Sequence, residues 1–364
     1  MKKTVEVGKT LLVNGSASVK MLSGKVEVFG CAIREGHQTI VREGKRQPFH
    51  VLETAEFHIS LGLNASVQEI EASTIPTSWD EAFETVKNVQ NKPAVIMVIG
   101  KVDMGKSSFS TYIINKLVDG KNRVAVLDSD LGQSDIGPPC TIAYGYTVKK
   151  ITELYEVKMS NAFFVGAISP AQAVSRSIEG LVEMYKECMQ KADVDYVIIN
   201  TDGWVEGENA IIQKGQLLNQ LKPDLVVGIQ GQEEELEPLL SGINSIATYC
   251  IESSTATNER AIEKHTKGRE MCYAKFLKEA KVRSLFSSYM VIHEKDILPK
   301  EQGKEKGILV GLQDSNKQFL GIGILLEYNR VRKTMKVLTP VPNKPASISI
   351  GRIKLDPELK ELPL

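Results

Sequence analysis

The chain has 364 residues, 42% hydrophobic and 25% charged, with a formal net charge of zero. This length holds two or three cores, and the neutral balance excludes a global field drawing the protein to nucleic acid or membrane, so any polyanion site must be local. Five cysteines without a C-x-x-C pair argue against a zinc site, and with no membrane-length apolar run or apolar leader core the expected location is cytoplasmic, without membrane contact.

Residues 1–76 read as β. Short alternating runs, such as Ser18–Leu22, Lys25–Phe29 and Phe57–Gly62, are separated by turn signals at Asn14-Gly15, Ser23-Gly24 and Glu35-Gly36. A small antiparallel sandwich or barrel is expected. A helix should follow, with Ser78 as N-cap and Trp79, Phe83 and Val86 on one face.

From residue 94 the rhythm changes. Strand-like runs at Val95–Ile99, Arg123–Leu127, Ala162–Gly166, Tyr196–Asn200, Leu225–Ile229 and Ile246–Ile251 alternate with helical stretches that include 171–191 and 208–220. Continuous apolar strands between helices imply a parallel sheet covered on both faces, with ligands beyond the strands' carboxyl ends. Residues 257–283 read as a charged, helical segment. β-like runs then return at Gly307–Leu312, Phe319–Leu325 and, as a strand pair, Ser347–Leu355, with a turn at 341–345. The expected organisation is an α/β P-loop domain over 77–283, between small β-rich domains at 1–76 and 284–364.

Four motifs carry chemistry. Gly100, Lys101, Val102, Asp103, Met104, Gly105, Lys106 and Ser107, with Ser108 after them, fit the phosphate-loop spacing G-x-x-x-x-G-K-[ST] between a buried strand and a helix. Glycines let successive amides face phosphate oxygens, Lys106 can reach the β- and γ-phosphates, and the Ser107 hydroxyl can ligate Mg²⁺. About twenty residues later Asp128-Ser-Asp130-Leu-Gly132-Gln133 ends another apolar strand, where a metal-binding carboxylate belongs. One division places Asp128 near the metal or its water shell and Asp130 near the acceptor as general base; the bland alternative is a strand-terminating Asp turn.

The third motif, Asn200-Thr201-Asp202-Gly203-Trp204, puts an indole just past a strand end, able to stack on an exposed base; packing under the next helix is the competing reading. The fourth is basic. Residues 257–283 contain eight Lys/Arg against four Glu, and Arg260, Lys264 and Lys267 recur at i, i+4, i+7 on one helical stripe. Such a stripe could close over phosphates and offset moving charge; a solvated helix face is the default for such a run.

In this order the motifs resemble the polynucleotide 5′-hydroxyl kinase family, whose members include the kinase associated with eukaryotic mRNA 3′-end cleavage, a pre-ribosomal-RNA kinase and shorter archaeal relatives. The resemblance implies that Asp130 activates a 5′-hydroxyl and that the loop with Thr201, Gly203 and Trp204 stacks on substrate. It also implies that Gly166-Ala-Ile-Ser169-Pro170 clasps substrate and the Lys106 region. Where the family has lid arginines, this chain offers Arg260, Lys264, Lys267 and Arg269, and lysine keeps the charge but not the bidentate fork.

The expected activity is Mg²⁺-dependent transfer of the ATP γ-phosphate (GTP being an alternative donor) to the 5′-hydroxyl of single-stranded or duplex RNA, with DNA as an alternative acceptor. Lys106, Asp130, Arg269, Lys264 and Arg260 would carry the chemistry. Gln133, Ser169, Thr201, Gly203 and Trp204 would hold substrate, and Ser107, Asp130 and Asp128 the metal. Two rivals stand beside it. One is a P-loop GTPase or ATPase with a regulatory or metal-insertion role, although Asn-Lys-x-Asp is missing from the run after Leu225. The other is an ATP-binding RNA-processing scaffold without turnover.

Overall fold

The computed structural model describes residues 1–231, 236–242, 246–257, 262–299, 301, 303–342 and 345–362. Three seven-stranded sheets follow one another along the chain. The first contains β1 (Lys2–Val5), β2 (Thr10–Asn14), β3 (Ala17–Val28), β4 (Cys31–Ile33), β5 (Gln38–Val41), β6 (Arg46–Leu61) and β7 (Ser66–Ile70). Its long strands β3 and β6 pair with each other; β1, β2, β4 and β5 attach along their lengths, and β7 adds outside β2. Ser23-Gly24, expected as a turn, lies inside β3. The register shifts there, Gly24 has φ +96°, and a Cβ on it would lie 2.4 Å from the Thr54 carbonyl oxygen. A bulge therefore bends a continuous strand where a hairpin was expected.

Helix α1 (Thr77–Lys87) joins this sheet to the second and buries Trp79, Ala82 and Val86. Ser78 does not cap it: the cap position is Pro76, and Ser78 Oγ accepts the Glu252 amide instead. Trp79 stacks on Phe29 of the first sheet and packs against Phe109 and Tyr112. Its indole N–H donates to the Glu252 carbonyl at 2.8 Å.

The second sheet alternates with helices: β8 (Ala94–Gly100), α2 (Lys106–Asp119), β9 (Val124–Asp128), β10 (Thr141–Thr147), β11 (Met159–Phe164), α3 (Val174–Lys191), β12 (Tyr196–Asn200), α4 (Glu208–Leu221), β13 (Leu225–Gln230), α5 (Glu237–Leu240) and β14 (Ala247–Glu252). The strand order is β11-β10-β9-β12-β8-β13-β14. The sheet is mixed, not wholly parallel as expected, because β10 runs antiparallel to both neighbours. The sequence conceals β10, since Thr141–Thr147 carries Gly145 and follows two prolines. The order places the end of β12 between the ends of β8 and β9, with Asn200 beside both Val98 and Asp128.

Helix α6 (Ile262–Phe276) occupies the basic segment. The third sheet contains β15 (Lys281–Phe286), β16 (Val291–His293), β17 (Ile308–Gln313), β18 (Phe319–Asn329), β19 (Thr334–Thr339), β20 (Ser347–Leu355) and β21 (Glu361–Leu362). The expected border at 283/284 falls within β15, which pairs with β19 from Lys281 onward. The expected strand pair at Ser347–Leu355 is one strand, β20, lying between β17 and β16. This sheet packs on the β11 edge, where Asn161 accepts the Phe319 amide at 2.8 Å. The contact is so close that a Cβ on Gly311 would lie 2.3 Å from the Phe164 ring.

Candidate nucleotide site

The phosphate loop leaves β8 where Gly100 lies against β13; a Cβ there would come within 2.6 Å of the Ile229 carbonyl oxygen. Gly105 takes φ +94°, a left-handed conformation that suits glycine, and α2 starts at Lys106. Three neighbours brace the loop. Lys101 pairs with Glu206 at 2.6 Å, the Met104 carbonyl accepts from Ser253 Oγ at 2.9 Å, and Asp103 Oδ2 lies 3.0 Å from His265 Nε2 on α6. Lys106 is buried, and its Nζ donates to the Lys101 carbonyl at 2.7 Å. Burial lowers its pKa, opposed by the charge of Asp130.

Beside the loop lies a cavity of about 520 Å³. Gly105, Lys106, Ser107, Ser108 and Asp103 line it, with Asp130 and Gln133 from the segment after β9 and Lys264 and Lys267 from α6. The opposite wall belongs to the first sheet: Asn14, Gly15, Phe29, Lys45, Arg46, Asn64 and Ser66. No sequence motif marks these wall residues, because they come from several strands and turns that meet only in three dimensions. Arg46 also donates to the Ala256 carbonyl at 3.3 Å, and Lys267 pairs with Glu43 at 2.5 Å. The first sheet is thereby tied both to the segment before α6 and to the first half of the helix.

The two carboxylates after β9 differ in surroundings. Asp130 Oδ1 accepts the amides of Gly132 and Gln133 at 3.1 and 2.9 Å. That commits Oδ1 and leaves Oδ2 as the oxygen able to take a proton. Burial raises its pKa, Lys106 lowers it and Asp202 raises it, for a net upward shift. Asp128 does not line the cavity; it is fully buried beneath it. Its Oδ2 accepts the Asp135 amide at 2.6 Å and the Ile136 amide at 3.2 Å, while its Oδ1 accepts from Asn200 Nδ2 at 3.1 Å. Burial first, then the charges of Asp135 and Asp130, push it up to about 7.

Asp135 behaves oppositely. Burial would raise its pKa, but Lys45 and Arg42 outweigh burial and hold it at about 2. Arg42 Nη2 donates to it at 2.8 Å and Lys45 Nζ at 2.9 Å, and Arg42 also engages Glu153.

The remaining motif residues divide. Gly203 packs on the phosphate loop, where a Cβ would lie 2.5 Å from the Val102 amide nitrogen. Thr201 is fully buried and donates its hydroxyl to the Val98 carbonyl. Asp202 forms a buried ion pair with Lys214 at 2.7 Å and also accepts the Trp204 amide. Trp204 itself is half-buried and outside the cavity lining. Ser169 caps a short turn by accepting the Ala171 amide. Gly166 is held against the third sheet, its carbonyl accepting the Arg352 amide at 2.6 Å. Arg269 does not line the cavity; Nε and Nη2 grip Glu361 of β21 at 2.6 and 2.7 Å. Arg260 lies outside the described residues.

The Mg²⁺ expected here needs few protein ligands, because this ion usually keeps waters and shares phosphate oxygens. The residues fit it. Ser107 Oγ opens on the cavity, and the buried Asn200 Oδ1 beside it has no partner among the described residues. Among the described residues no cluster of three or more His, Cys, Asp or Glu is suited to hold a metal.

A buried strand, a left-handed glycine and a lysine at a helix start define a P-loop nucleotide-binding site. Residues 100–279 match the mRNA cleavage and polyadenylation factor CLP1 P-loop family, so the chain carries a domain of that family. Residues 276–332 match a PUA-like domain. A polyribonucleotide 5′-hydroxyl-kinase of Pyrococcus abyssi is 27% identical, the match covering 82% of this chain and 98% of the relative. A polyribonucleotide 5′-hydroxyl-kinase of Methanocaldococcus jannaschii is 25% identical over 80% of this chain and 94% of its own. The solved structure of wild-type Clp1p with Pcf11p shares the fold, at TM-score 0.76 and 12% identity, with 97% of each chain covered. Among the described residues no helix is long and apolar enough to cross a membrane.

Proposed function

We propose that the protein transfers the γ-phosphate of ATP to the 5′-hydroxyl end of RNA. The observation that carries this reading is one shared cavity. The loop from Gly105 to Ser108 faces it together with Asp130, a half-buried carboxylate with a raised pKa, and Lys264 of α6. Phosphoryl transfer needs little more than positioning and charge, and these groups supply both. The relatives named as polyribonucleotide 5′-hydroxyl-kinases, matched over most of both chains, support it.

In this reading the loop amides and Lys106 hold the β- and γ-phosphates. Lys106 exchanges its bond to the Lys101 carbonyl for one to phosphate. Ser107, with Asp130 at the cavity side and Asp128 through Asn200, would hold Mg²⁺. When bound, that ion supplies charge neutralisation between the phosphates. Asp130 Oδ2 takes the proton of the attacking hydroxyl, while the two amides on Oδ1 keep the carboxylate oriented. Lys264, with Lys267 behind it, faces the transferring charge. Arg269 anchors the lid helix through Glu361, and Gln133 meets the acceptor. The five cysteines are free thiols, which suits a reducing cytoplasm.

The test offers matched RNA and DNA oligonucleotides, bearing 5′-hydroxyl or 5′-phosphate ends, together with Mg²⁺ and γ-labelled ATP or GTP. Label only on 5′-hydroxyl RNA is the expected outcome. Nucleotide hydrolysis without transfer would instead identify a P-loop NTPase, and binding without either would identify a scaffold.

A further inference from the structure

Asn200 ends β12 between the phosphate loop and the Asp128 strand. Its side chain is 1% exposed. Its backbone is fixed, because the carbonyl accepts both the Ser129 amide at 2.9 Å and Ser129 Oγ at 3.1 Å. The two N–H bonds of Nδ2 are also committed, one to Asp128 Oδ1 at 3.1 Å and one to Ser107 Oγ at 3.3 Å. Oδ1 alone is left, buried and without a partner among the described residues.

A buried amide oxygen without a donor has lost its hydrogen bonds to water and gained none in return. Such a group persists where its donor arrives with a ligand. The oxygen belongs to the side chain that already holds Ser107 Oγ, and Ser107 lines the phosphate cavity. A hydrogen bond donated to Ser107 Oγ also turns the hydroxyl so that a lone pair remains open to a cation.

We propose that Asn200 is the positioning residue for the divalent cation: Nδ2 orients Ser107 Oγ as a ligand, and Oδ1 accepts a hydrogen bond from water bound to the ion. Asp128 serves beneath it as the fixed acceptor that prevents the amide from turning over. This rests on the nucleotide-binding half of the proposed function and is independent of the acceptor.

The test measures affinity for a non-hydrolysable ATP analogue by calorimetry, with Mg²⁺ and with EDTA, in the parent protein and in Asn200→Ala. The tightening caused by Mg²⁺ should shrink about tenfold in the variant, while EDTA affinity stays within about twofold. Ser107→Ala should remove the same tightening, and Asn200→Ala added to it should change nothing further, because the two act as one unit. If the alanine variant does not fold, Asn200→Ser carries the same expectation. Undiminished Mg²⁺ tightening in a folded variant overturns the proposal, as does equal loss with and without Mg²⁺, which marks a merely structural residue. A parent that shows Asn200-dependent Mg²⁺ tightening but transfers no phosphate would sink the kinase reading and leave this one standing.

Discussion

The two walls of the cavity are built by different rules. On the α/β side each functional group sits at the carboxyl end of a parallel strand: Ser107 after β8, Asp130 after β9, Asn200 closing β12. Strand pairing fixes these ends within a hydrogen-bond length of each other, so the chemistry is held by the sheet itself. On the other side, residues from strands and turns of the first sheet meet the cavity, and the wall is held by ion pairs such as Arg42–Asp135. A wall anchored by backbone pairing tolerates little change in geometry. One anchored by side-chain charge can be loosened by a single substitution or by acid.

Five substitutions break or sharpen this contrast. The largest effect falls on the strand-end wall: Asp130→Asn should lower transfer by about 10²–10⁴-fold, the usual range for a general base. Nucleotide affinity in EDTA should stay near the parent value, which calorimetry with the ATP analogue checks. On the charge-held wall, Arg42→Ala leaves the buried Asp135 with Lys45 alone and should cost about 3 kcal/mol of unfolding free energy. The pH dependence follows from Asp135, whose folded pKa is depressed. Its contribution is present above the unfolded pKa near 4 and is lost as pH falls toward about 2. Denaturant titrations across that window should show a steep acid loss in the parent and a shallower one in Arg42→Ala.

Gly203→Ala should cost about 1–3 kcal/mol, since its Cβ must displace the Val102 backbone. Thermal melts would show the loss, and near-parent stability would mean that the loop moves freely. The smallest effects separate two lid cations. Lys264→Ala should slow transfer about tenfold at unchanged melting temperature. Arg269→Ala should lower the melting temperature, with less effect on the turnover of folded protein. The reverse pattern would return Arg269 to the reacting phosphate.

Much of the strand-end wall was legible in sequence because its signals are local: an apolar run, then glycine or acid, then a helix start. Gly100–Ser107 and Asp128–Gln133 each carry their context within about a dozen residues. Strand β10 was hidden because glycine and a preceding Pro-Pro suppress the apolar run that marks its neighbours. Ser78 has the composition of a cap but is recruited by the Glu252 amide, a partner 174 positions away. Arg269 looked like its lid neighbours, and only the fold brings Glu361 beside it. Lys45 and Arg46 carry no signal, and Asn14 signals only a turn, since nothing local distinguishes a wall residue from any other polar turn. Fold class was therefore more legible than the half of the site that depends on contacts between sheets.

Trp79 sets how a nucleotide can enter. Its ring is wedged among Phe29 of the first sheet and Phe109 and Tyr112 of α2, the helix that starts at the phosphate loop. Swinging the first sheet outward would expose that cluster to water, at roughly 2–3 kcal/mol for each large side chain. The first half of α6 meets the cavity side through Lys264, His265 and Lys267, polar contacts that water can replace, while buried Tyr273 and Arg269 on Glu361 hold its second half. The first sheet is thus the fixed jamb and the first half of α6 the door, so exchange of nucleotide should be timed by those turns, with the indole environment unchanged as they open.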